Sequence, residues 1–187
     1  MAISNRSLMT YSPDLKILDC TLRDGGLVNN FAFSDEFVKD LYTANIASGV
    51  DYMEFGYKAS KEIFDVNKFG KWKFCDEADI RAIVGDNKTD MKIAVMADVG
   101  RTDFKKDILP KSESVIDMIR VATYINTIPA AIEMIEDAHE KGYDTQPAMA
   151  VRVIRFIRVM VAPRIMPGRP SRKYTRTIIS NGLEPID

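Results

Sequence analysis

At 187 residues, 46% hydrophobic and 28% charged, the chain has the make-up of one ordinary globular domain and is too short for two large ones. A formal net charge of −1 gives no pull toward nucleic acid or an anionic membrane. No apolar run reaches the ~18 residues of a membrane span, and the polar N-terminus lacks the apolar core of a signal peptide, so a cytoplasmic location is expected. Cys20 and Cys75 are far apart and match no metal spacing, so reduced thiols are the expectation.

Residues 1–13 read as a loose leader. "LKILDCTL" (15–22) reads as a strand, short and apolar apart from Asp19. "SDEFVKDLYTANIASG" (34–49) reads as a helix: Ser34 can cap its start, Asp35 and Glu36 suit the positive end of the dipole, and Gly49 suits the stop. Phe37, Val38, Leu41, Ala44 and Ala47 recur there at helical spacing. "VDYMEFGY" (50–57) is the next strand. A polar stretch follows, in which Trp72 and Phe74 read as a packed loop rather than a pocket cover. The spacing predicts a short helix over 76–85, a third strand over 91–99 and a fourth over 117–123. A helix over 127–142 has Thr127 as a candidate cap, Pro129 in its first turn and Gly142 at its end.

This alternation predicts an α/β fold with a parallel sheet and crossover helices. Two architectures satisfy it, an open doubly wound sheet and a (β/α)8 barrel. Both put functional groups at the C-terminal ends of strands. No G-x-G-x-x-G follows the first strand, which argues against dinucleotide binding.

The first strand ends in "RDGG". At a strand exit Asp24 offers a hard oxygen ligand for a divalent cation such as Mg²⁺, Mn²⁺ or Zn²⁺. Arg23 offers a permanent charge suited to carboxylate or enolate oxygens. Gly25 and Gly26 would let the backbone turn sharply. A purely structural Arg–Asp pair explains the same residues equally well on spacing alone.

The letters go further. "LDCTLRDGG" resembles the first-strand signature of the pyruvate carboxyltransferase-like metallolyase superfamily. The resemblance extends through "GVDYMEFGY", "KIAVMADVG" and "DMIRVATY" and covers about residues 15–146. It implies a (β/α)8 barrel that makes or breaks C–C bonds beside a carbonyl through a metal-bound enolate. It implies Asp24 as a metal ligand and Arg23 as the catalytic residue that steadies enolate charge and binds substrate. Glu54 falls where the family often has a glutamate, a candidate for substrate binding. Gly26 and Leu27 stand where the family commonly has glutamine, a departure that looks like the aldolase-type branch acting on 2-oxo acids. Arg120 points inward or outward on the pattern. His139, on the last helix beside Glu136 and Glu140, reads as part of a solvated face.

Two features depart from the resemblance. The chain has one histidine, so the family's His-x-His metal pair is absent and the implied metal site is incomplete. The β/α rhythm stops after four units and the start of a fifth, where a barrel takes ~250 residues. The composition also breaks near Pro147. Residues 147–187 carry eight basic and two acidic residues, seven of the basic ones arginine, and five of the chain's eight prolines. A shifted reading frame would produce such a change. The expected organisation is therefore a leader (1–13), an N-terminal barrel half (14–146) and an atypical tail (147–187). Three readings follow: an aldolase-type lyase for a 2-oxo acid or acyl substrate, inactive as this chain; a non-catalytic partial barrel completed by association with another chain; or an Arg-rich tail that binds nucleic acid.

Overall fold

The computed structural model describes residues 15–149, so the leader, and the tail from residue 150 with its frameshift reading, lie outside the described residues. Within them the alternation becomes a five-stranded sheet in the order β1-β2-β3-β4-β5, every pair parallel. The strands are β1 Leu18–Asp19, β2 Tyr52–Tyr57, β3 Lys92–Asp98, β4 Met118–Thr123 and β5 Asp144–Met149. The helices are α1 Thr21–Asn29, α2 Asp35–Ala47, α3 Glu77–Val84, the short α4 Phe104–Asp107 and α5 Ile128–Glu140. Strand order equal to chain order excludes the doubly wound sheet, which needs a reversal. With right-handed crossovers it also sends every helix to the same face. The sheet therefore curls into a half-barrel with one helix-covered face and one open face.

Register decides which residues use each face, because residues paired across parallel strands point the same way. Ile93, Val95, Ile119 and Val121 are fully buried against the helices. Burial of each such side chain contributes about 1.5–3 kcal/mol. Met134, Ile135 and Ala138 of α5 meet them from the helix side. On the opposite face the register aligns Glu54 with Ala94, Met96 with Arg120 and Asp98 with Ala122. A β-bulge between Glu54 and Tyr57 puts Tyr57 level with Met96 on that same face.

The signalled helix ends largely form as the residues dictate. Ser34 Oγ accepts the backbone N–H of Phe37, and Gly49 and Gly142 take positive φ. Thr127 differs: its side chain makes no cap on α5, and its hydroxyl is shared instead with Thr123 at 2.7 Å. Trp72 and Phe74 are buried, a packed turn as expected. β5 carries on through Pro147, where the composition changes. No helix among the described residues is long and apolar enough to cross a membrane.

The larger correction is at the first strand. The expected strand over 15–22 is only Leu18–Asp19, and "TLRDGGLVN" is helix. Asp19 causes the break: its carboxylate accepts the Thr21 hydroxyl at 2.7 Å and the Thr21 N–H at 3.3 Å. The chain thus turns two residues after the strand, and the Asp24 N–H closes the first helical bond onto Cys20 O at 2.8 Å. Gly25 and Gly26 therefore do not form a sharp loop. Gly26 is needed for packing, since a Cβ there would lie 2.1 Å from the Phe31 ring.

Candidate active site

The start of α1 stands at the C-terminal exit of β1. That position brings Arg23 over the open face of the sheet. Its Nε donates to Glu54 Oε2 at 2.8 Å, and its Nη1 pairs with the Asp24 carboxylate. From β4, Arg120 Nη1 donates to the same Glu54 oxygen at 2.7 Å. Glu54 is completely buried, while the Arg23 and Arg120 side chains keep 15% and 17% of their surface. Two guanidiniums thus converge on one oxygen of one carboxylate.

The cluster has unused capacity. Glu54 Oε1 and Arg120 Nε are buried and have no hydrogen-bond partner among the described residues. Buried polar groups in native proteins are normally satisfied, so a donor and an acceptor left over in one ion-paired cluster mark a place for a ligand or water. Burial opposes the charge on Arg23, but the hydrogen bond and charge of Glu54 outweigh it and hold its pKa above the ordinary value. Cys20 borders the same cluster, its sulfur accepting a long contact from Arg120 Nη1 at 3.8 Å. Burial, reinforced by the Glu54 charge, pushes its thiol up and makes it a poor nucleophile.

Farther along the open face lie Tyr57 and Asp98, the last residues of β2 and β3. Burial raises the pKa of both, and the Asp98 charge adds to the shift on Tyr57. Arg101, Lys73 and Arg23 pull the Asp98 carboxyl back the other way, with Arg101 Nη1 at 3.6 Å. A second mixed cluster therefore adjoins the first, with Tyr57 between them.

The structure brings Arg23, Asp24 and Glu54 together where β1 ends, beside the middle of β2, and from the middle of β4 it adds Arg120, whose direction the pattern left open. Asp24 is 59% exposed, paired to Arg23 rather than built into a closed ligand set. Among the described residues no group of three or more His, Cys, Asp or Glu side chains could hold a metal ion. His139 is exposed on α5, as its neighbours suggested. Tyr57, Asp98 and Lys73 were missed. Tyr57 ends a predicted strand and Asp98 lies one residue before the end of another, and the rule that parallel sheets work at their C-terminal ends would have found them. Lys73 carried no local signal.

The fold is an aldolase-like α/β half-barrel. A solved structure described as the "N-terminal domain of a putative aldolase from Bacteroides vulgatus" is similar over 82% of this chain with a TM-score of 0.58 and 27% identity. This chain spans 48% of that one. No protein-family model matches the chain, and no curated protein does.

Proposed function

We propose that residues 14–146 form the N-terminal half of a (β/α)8 barrel of the pyruvate carboxyltransferase-like superfamily, in its aldolase-type branch. Its site handles the C–C bond beside the carbonyl of a 2-oxo acid by stabilising an enolate. The observation that carries this reading is the convergence of Arg23 and Arg120 on buried Glu54, level with the exit of β1 from a parallel sheet. Glu54 fixes both guanidiniums, which removes the entropic cost of ordering them when a ligand arrives. The Arg120 N–H without a partner suits a carboxylate or enolate oxygen, and fixed positive charge in a partly dry site stabilises negative charge that develops there.

A divalent ion would supply further polarisation of the carbonyl, and Asp24 is the residue that would hold it. One exposed carboxylate does not make a metal site, so the described residues alone do not fit such an ion. Its other ligands, and the wall that closes a barrel, would come from outside residues 15–149 or from another chain. Leu15, Ile17, Leu27 and Val28, 60–91% exposed around β1 and α1, favour a covered edge there.

The test uses the 187-residue chain as it is. Pyruvate binding is titrated by calorimetry beside lactate, which lacks the carbonyl, and pyruvate release from a 4-hydroxy-2-oxo acid is assayed with Mn²⁺. The expected outcome is saturable pyruvate binding, lost in Arg23→Met, with no turnover. Absence of pyruvate binding from the folded chain would overturn the reading.

A further inference from the structure

The side chain of Lys73 is the least expected feature of the open face. It lies in the turn Lys71–Lys73 and is only 5% exposed. Four rings surround its ammonium: Tyr57 and Phe64 at 4.4 Å, Phe31 at 5.0 Å and Phe69 at 5.8 Å from Nζ to centroid. Among the described residues no carboxylate lies within ion-pairing distance. Asp98 acts on it only at longer range, and Arg101 opposes the charge. Gly56 makes the arrangement possible, because a Cβ there would lie 1.9 Å from Trp72 O and would push the turn off β2.

A primary ammonium is a poor occupant for such a cage. It is a compact, strongly hydrated ion, and burial strips that hydration. Ring faces attract any cation, but they favour one that has less hydration to lose. Burial accordingly lowers the Lys73 pKa and makes the neutral amine more available. A protonated imine spreads its charge over nitrogen and carbon and has fewer N–H groups to solvate. The cage therefore suits the imine of Lys73 better than Lys73 itself. The neighbouring residues agree. Tyr57 borders both Nζ and Arg23, so a ligand whose carbonyl reaches Lys73 has a guanidinium beside it for a carboxylate.

We propose that Lys73 is a covalent capture site for a small 2-oxo acid, held as a protonated imine inside the ring of Phe31, Tyr57, Phe64 and Phe69. The neutral amine adds through its lone pair to the carbonyl carbon, and the C=O π pair moves to oxygen. One proton passes from nitrogen to that oxygen. The C–O bond then breaks, and the oxygen leaves as water with one proton taken up from solvent. Amine, carbonyl and one proton become iminium and water, with no change of oxidation state. The choice of a 2-oxo acid rests on the aldolase reading; the capture needs neither a metal ion nor turnover.

The test is reductive trapping on the native chain. Pyruvate or acetaldehyde is added with cyanoborohydride at neutral pH, and modified lysines are mapped by mass spectrometry of peptides. Exposed Lys61, Lys105 and Lys106 serve as internal controls. The expected result is pyruvate trapping at Lys73 severalfold above those lysines, because burial leaves more of its amine neutral. Lys73→Arg keeps a cation in the cage and should abolish it. Trapping at the exposed lysines only, with Lys73 reacting solely in urea, would overturn the proposal. Capture of acetaldehyde without pyruvate would overturn the 2-oxo acid assignment. Oxalate cannot form this imine, so oxalate binding without Lys73 trapping would sink this inference and leave the Arg23 site standing.

Discussion

The two ends of the sheet hold their charges in different ways. At the N-terminal end three carboxylates each have their own lysine: Asp51 pairs with Lys16 and Asp144 with Lys92 at 2.8 Å, and Asp117 with Lys111 at 3.0 Å. Asp51 and Asp117 also accept the backbone N–H groups of Ile17 and Ile93, tying neighbouring strands together. These pairs are partly exposed, one cation to one anion. Toward the other end, level with the exit of β1, two arginines share one oxygen of a fully buried glutamate, and a donor and an acceptor are left over. A brace needs no spare hydrogen-bonding capacity, whereas a binding site does. The proposal that the Glu54 cluster binds a ligand rests on this difference.

The largest expected effect is at the functional end. Glu54→Ala leaves the Arg120 guanidinium without its counter-charge and Arg23 with only the exposed Asp24, and should cost about 3–5 kcal/mol in urea unfolding. If it costs no more than a brace, the contrast between the ends fails. Gly26→Ala comes next, since its Cβ would meet Phe31 at 2.1 Å. Overpacking of that kind costs about 1–3 kcal/mol. Gly25→Ala, where the nearest foreign atom is 3.3 Å away at the tip of Phe33, should be much milder. At the other end Lys92→Ala should cost about 0–1 kcal/mol, and less in high salt.

The smallest effect differs between the ends in sign. Burial raises the Asp98 pKa, so the folded chain keeps a proton that the unfolded chain releases. Its stabilising contribution is present below the unfolded carboxylate pKa of about 3.9 and is lost as pH rises through the folded value. The hydrogen bonds from Lys16 and the Ile17 N–H lower the Asp51 pKa. Its contribution is present above about pH 3.9 and is lost as pH falls through the folded value. Thermal unfolding followed between about pH 3 and 6 should therefore show Asp98→Asn removing a loss of stability toward neutral pH. Asp51→Asn should remove a loss toward acid. Shifts of the same sense in both variants would contradict the comparison.

What was legible in the sequence was mostly local. Apolar runs and caps such as Ser34 placed β2, β3, β4, α2 and α5 within a residue or two, because period and capping act over a few neighbours. Strand order was not legible, since pairing joins residues some 24–40 apart in the chain, as in Tyr52 with Lys92. The first strand misled for a specific reason: the apolar letters of "LKILDCTL" match a strand, and the Asp19 turn that ends it is a single side-chain contact. The letters of "LRDGG" pointed to Arg23 and Asp24, and strand position pointed to Glu54. Arg120 joined them only through the curl of the sheet, which brings β4 toward β1. Lys73 was invisible because its cage draws on four segments of the chain.

The central claim is that spare charge at the C-terminal mouth, and not polar surface in general, binds the ligand. The molecule contains its own control. A polar groove of about 200 Å³ at the opposite side, lined by Arg81, Asn87, Lys111 and Asp117 among others, also offers cations. The decisive measurement is a crystal structure of the chain with oxalate, a planar mimic of the pyruvate enolate. The account predicts oxalate on the open face, hydrogen-bonded to Arg23 or Arg120 beside Glu54. Oxalate seated in the Arg81–Lys111 groove, with the mouth empty, would contradict it.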